Sequence, residues 1–106
     1  MNHPPVDWEP QIQHLRYLSL EMLELAQAND WEAVSEWETR RRAVLDNLFR
    51  QPAPAAIVPL LEEAIRATLA SDARLTDMAR AEMDSISDNL KLIQQGRRAM
   101  LAYHDF

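Results

Sequence analysis

The chain has 106 residues, a formal net charge of −6, one glycine and no cysteine. That length allows one domain with a modest core, and the missing cysteine excludes a disulfide frame and thiolate chemistry. Apolar residues make up 47%, too many for a disordered chain, while the acidic balance disfavours direct nucleic-acid binding, which needs a basic surface to displace counterions.

Residues 1–6 should be loose, because Pro4–Pro5 blocks a helix there. The opening lacks the basic start and apolar middle of a signal peptide. No apolar run approaches the ~20 residues of a membrane span. The expected location is therefore cytoplasmic. Asp7 is a good N-cap, and Pro10 is harmless in a first turn, so helix one is expected over about 8–28. Its core row is Leu15, Leu18, Met22, Leu25 and Ala26, with Leu20 and Leu23 widening the stripe.

Asn29–Asp30 breaks that helix. Asn tolerates the left-handed position after a helix and Asp30 can cap the next one; alternatively Asn29 caps, with Glu32 completing a capping box. Either way a tight turn forces an antiparallel hairpin. Helix two is expected over about 31–50. Its inward row is Val34, Trp37, Arg41, Val44, Leu45 and Leu48, with Phe49 beside it and Trp31 plugging the end of the hairpin. Arg41 falls on the apolar row. Either its stem snorkels, with the charge in water, or it pairs with Asp72, the one obvious acid on the inner row of the next helix. The arginine clusters at 40–42 and 97–98 read as a solvated face, with Glu36 serving Arg40 and Glu38 serving Arg42 at i,i+4, or as a patch for an acidic partner.

After a loop at Gln51-Pro-Ala-Pro-Ala-Ala, helix three is expected over about 57–95, a rod of roughly 55 Å. Its inner row alternates steps of three and four through Leu61, Ile65, Thr68, Asp72, Leu75, Ala79, Glu82, Ile86, Asn89 and Ile93. Ala64, Leu69, Met78, Met83 and Leu90 form a neighbouring row. Such a helix cannot bury its own stripe. Gly96 is expected to interrupt it, or loosen it, leaving a short helix over about 97–104 that is too short to stand alone and holds only by docking. The fold class is thus all-α: an antiparallel bundle of three main helices plus a short C-terminal helix, in one domain spanning 1–106.

No enzyme signature is present. His3, His14 and His104 stand alone, without the paired Glu-x-x-His pattern of a di-metal bundle. One glycine cannot build a phosphate-cradling loop. Arg16, Arg41, Arg66, Arg74 and Arg80 invite comparison with the small all-helical chorismate mutases, but most lie on rows opposite the apolar stripe. No catalytic activity, cofactor or metal is expected. Met78, Met83 and Met100 either fill the core or form an adaptable binding surface.

Three stretches carry a family resemblance. Met22-Leu-Glu-Leu-Ala-Gln-Ala-Asn-Asp-Trp-Glu32 resembles the apolar-then-acid-Trp hairpin of FliT-type flagellar export chaperones. Arg41-Arg-Ala-Val-Leu-Asp-Asn-Leu48 resembles that family's second-helix pattern, and Gln94-Gln-Gly-Arg-Arg-Ala-Met-Leu-Ala-Tyr103 its closing segment. The resemblance implies a cytoplasmic helical protein that holds the C-terminal helical region of the filament-cap protein, FliD, before export. It also implies contacts with export-apparatus components in some members and with the FlhDC regulator in enterobacteria. Carried over by position, the partner-binding groove would include Ile65, Leu69 and Thr76, to which the apolar rows add Leu75 and Met83. Asp30, Trp31 and Arg41 would be structural residues of the hairpin. Residues 97–106 would form an inhibitory lid, with Met100, Ala102 and Tyr103 as its contacts. A lid ending at Phe106 has little to bury, so weak autoinhibition is expected. Two alternatives stay open: a related chaperone for hook–filament junction proteins, and a structural homodimer without chaperone activity.

Overall fold

The computed structural model describes residues 7–104 and contains, among them, three helices and no strand. The loose stretch expected over 1–6 and the last two residues of the 97–106 segment lie outside the described range. Helix α1 spans Trp8–Gln27, α2 Trp31–Phe49 and α3 Val58–His104. The chain divides into two compact units, Met1–Leu75 and Thr76–Phe106.

In the first unit, α1, α2 and the beginning of α3 share one core. Ile12, Leu15 and Leu18 from α1, Val44 and Leu48 from α2, and Leu61 and Ala64 from α3 are buried together, with Trp8, Trp37, Leu45 and Ile65 packed against them at partial exposure. The helical period explains the selection: 15, 18, 22 and 26 return to one face of α1, as 34, 41, 44 and 48 do on α2. Ile12 extends the α1 row one turn earlier than the sequence reading placed it. Leu25 is only half-buried, and Leu20 and Phe49 are exposed.

The turn between α1 and α2 does double duty. Asn29 adopts φ 59°, the left-handed region that a short amide side chain tolerates. Its N–H donates to the Ala26 carbonyl at 3.0 Å, and the Asp30 N–H donates to the Leu25 carbonyl at 2.9 Å. This bond pair is the Schellman closure of a helix. The Asp30 side chain then accepts from the Ala33 N–H at 3.2 Å, capping α2. Of the two caps open in the sequence, Asp30 is the one used. At the start of α1 the expectation fails in part. Asp7 occupies the N-cap and its carbonyl accepts from the Gln11 N–H at 3.1 Å, but its carboxylate makes no capping bond.

Before α3 the Pro54 carbonyl accepts from the N–H groups of Ile57 and Val58, at 2.8 and 3.2 Å. The chain enters the helix there, with Pro59 in the first turn where its missing N–H costs nothing. The second unit, by itself, is the remainder of α3. Here the structure corrects the sequence reading. α3 runs through Gly96 to His104, and 97–104 continue it instead of forming a separate short helix. One glycine costs a helix only about 0.5–1 kcal/mol. Gln94, Gln95, Arg97, Arg98, Ala99, Met100, Leu101 and Ala102 around it are all good helix formers, so the helix persists.

Candidate functional site

The first unit is pinned by one polar side chain. Arg41 on α2 is 4% exposed. It donates from Nη1 to Ser19 Oγ on α1 at 3.1 Å and from Nη2 to the Asp72 carboxylate on α3. Of the two readings open in the sequence, the ion pair with Asp72 is the one formed. A guanidinium fits this place because its planar fork serves two acceptors at once. Tyr17 and Trp37 meet across α1 and α2 with ring centroids 6.0 Å apart, and the Arg40 guanidinium sits 5.1 Å from the Trp37 centroid. The expected pair of Arg42 with Glu38 forms at 2.6 Å. Trp31, the expected hairpin plug, is half-buried, and its indole N–H has no hydrogen-bond partner among the described residues.

Also in the first unit, an open groove of about 330 Å³ lies between α1 and α3. Leu20 and Leu23 form its α1 wall. The α3 wall is Ala64, Ala67, Ala70, Thr68 and Ser71, with Arg16 and Arg74 also lining it. The groove owes its space to the small α3 side chains, alanine, serine and threonine, that line it with the two leucines. Arg16 is tied across to Glu63 at 3.0 Å. The Thr68 hydroxyl donates back to the Ala64 carbonyl at 2.9 Å, whereas the buried Ser71 hydroxyl has no partner among the described residues.

None of the five residues expected to form a groove lines this one. Ile65 is half-buried against the core, and Leu75 is itself buried at 8% exposure. Leu69 is exposed at 62%. The sequence did hold a signal for the observed groove. Leu20 and Leu23 lie off the α1 core row, and alanines recur at 64, 67 and 70, but small residues at helical spacing read as plain packing.

In the second unit the exposed apolar residues are more numerous. Met83, Ile86, Leu90, Ile93 and Met100 are each at least half exposed, as are Leu92, Leu101 and Tyr103. Thr76 and Ala102 are exposed as well. Met83, Ile86, Leu90 and Ile93 are spaced 3, 4 and 3, and Met100 follows seven residues later, which places all five on one face of α3. Among the described residues, no group of three or more His, Asp or Glu side chains could hold a metal ion, and no helix is long and apolar enough to cross a membrane.

Compared with known families, the sequence matches the one described as Flagellar protein FliT over residues 9–105. The chain belongs to the FliT family. No curated protein and no solved structure matches it. FliT proteins are flagellar chaperones, and the match takes in all three helices together with the three stretches that carried the resemblance. A chaperone needs no reacting groups, only surface for a guest. On this FliT chain, apolar surface of that kind is present in both units.

Proposed function

We propose that this FliT-family chain is a cytoplasmic export chaperone that holds the C-terminal helical region of the filament-cap protein, FliD, before it enters the flagellar export apparatus. The observation that carries the reading is the family match over residues 9–105. The exposed apolar side chains of α3 support it, because an amphipathic guest helix docks through anchors at i, i+3, i+4 and i+7 and requires an apolar face to receive them. Leu69 and Met83 are the proposed contacts, with Ile65 and Thr76 beside them. Leu75 is buried at 8% exposure and is the least accessible of the expected contacts. Export-apparatus components and the FlhDC regulator remain partners by family analogy alone.

The proposed lid is Met100, Ala102 and Tyr103. Since 97–104 are helical here, closing it requires α3 to open, and Gly96 is where a helix opens at least cost. Titration calorimetry of the full chain against a FliD C-terminal helical segment tests the reading. Binding should bury about 800 Å² per partner. Leu69→Asp and Met83→Asp should each weaken it about tenfold or more, by placing a charge against apolar anchors. Truncation after Gln95 should tighten it. Binding of a hook–filament junction protein in place of FliD would overturn the substrate assignment, and unchanged or weaker binding after truncation would overturn the lid.

A further inference from the structure

We propose that the α1–α3 groove of the first unit is a binding site for a medium-chain fatty acid, with the carboxylate at Ser71 and Arg74 and the aliphatic chain along Leu20 and Leu23. The polar groups that line this groove include three donors with no acceptor of their own. Ser71 is 8% exposed, and its hydroxyl has no partner among the described residues. A hydroxyl buried in that way is costly until something supplies the missing bond. Arg74 stands three residues further on, so the two share one face of α3. Its guanidinium is exposed and makes no ion pair or hydrogen bond among the described residues. Ser19, on the α1 wall, accepts from Arg41 Nη1 at 3.1 Å. That bond occupies a lone pair and leaves the Ser19 O–H to donate, strengthened by the cation behind it.

A carboxylate matches this set, because it only accepts and takes charge-assisted bonds from guanidinium and hydroxyl alike. The chain as a whole carries −6, yet two arginines and no acid line the groove. Arg16 is already held by Glu63, which leaves Arg74 as the cation for the head. The Arg16–Glu63 link also sets the beginnings of the two walls side by side, so Arg74 closes the far end. The aliphatic chain then runs back from Arg74 over leucine and alanine. Size decides between a small molecule and a protein helix. The α3 wall from Ala64 to Arg74 is about 15 Å long and the α1 wall from Arg16 to Leu23 about 10 Å. The volume of about 330 Å³ falls within the range of small-molecule sites. A docked protein partner would need about 800 Å² on each side, more than two such short walls offer.

This site does not depend on the chaperone reading, and its test uses no flagellar protein. In the full chain, titrated with decanoate below its micelle concentration, the amide resonances of Leu20, Leu23, Ala67 and Ser71 should shift saturably. Decanol, with the same aliphatic chain and no charge, should bind about tenfold more weakly, and decyltrimethylammonium should leave these amides unmoved. Arg74→Gln should weaken decanoate about tenfold and erase its advantage over decanol. Ser71→Ala should weaken decanoate less and keep that advantage. Ala67→Leu, which fills the groove from an exposed position, should abolish binding of both. Arg74 and Ala67 are outside the core, so helix content should be native in these two variants. Equal binding of decanol and decanoate overturns the proposal. So do shifts confined to 83–103, where exposed apolar side chains would collect any surfactant, and an Arg74→Gln variant that still prefers the acid. An acidic amphipathic peptide that saturates the groove amides while decanoate leaves them unmoved overturns it in favour of a protein partner.

Discussion

Arg41 reaches all three helices of the first unit by itself, through Ser19, its own helix and Asp72. A guanidinium so deeply buried is tolerable only while its acceptors remain, because a buried charge left unpaired costs far more than a lost surface contact. Asp72→Ala should therefore destabilise the fold by about 2 kcal/mol, read by urea denaturation. The double variant Arg41→Met/Asp72→Ala should recover most of that loss, since a thioether of similar length fills the space with no charge to satisfy. If the double variant is no better than the single, the ion pair rather than the stranded charge is what matters. The sequence exposed this arrangement as one of two, because spacing put both residues on facing rows. It could not decide between them: whether the stem of Arg41 reaches solvent depends on how closely α1 lies. Asp7 shows the limit in the other direction. Its type suits a cap, yet its carboxylate makes no capping bond.

Among the elements, α3 carries the main disagreement between sequence and structure. Gly96 read as an interruption because glycine punctuates so many helices. The residues on both sides outvote it, and a Cβ added there would meet nothing within 4 Å. Gly96→Ala should therefore be accommodated without strain and raise helix stability by about 0.5–1 kcal/mol, seen as higher helicity and a later melting transition by circular dichroism. It should also hold 97–104 in line with the rest of α3. If the lid proposed above closes by opening the helix at Gly96, the same variant should bind a FliD segment more tightly. The positions of α1 and α2 were legible to within a residue or two, because their apolar periods are strong and Asn29–Asp30 marks the boundary between them.

For the whole molecule, what the sequence could not supply is the relation between helices. The α1–α3 groove exists because Leu20 and Leu23 of one helix stand beside alanines of another, and no periodicity within a single helix contains that. The family, by contrast, was readable from three short stretches, since turn chemistry and the order of elements are local. The two units should differ in stability. Backbone amides of Ile12–Ala26 lie in a helix with five buried side chains, whereas every residue from Met83 to Tyr103 is exposed. In dilute solution, hydrogen exchange should be faster by orders of magnitude over 83–103 than over 12–26. Equal protection of the two would contradict this division.

The turn at Asp30 has one more implication, for anyone who fits a probe to this chain. Its N–H completes the end of one helix and its carboxylate begins the next, so an added residue there would have to undo one bond set or the other. The connection between α2 and α3 carries no such double duty ahead of the Pro54 turn, and exposed Pro52 is where a label or an inserted tag can be spliced with least disturbance.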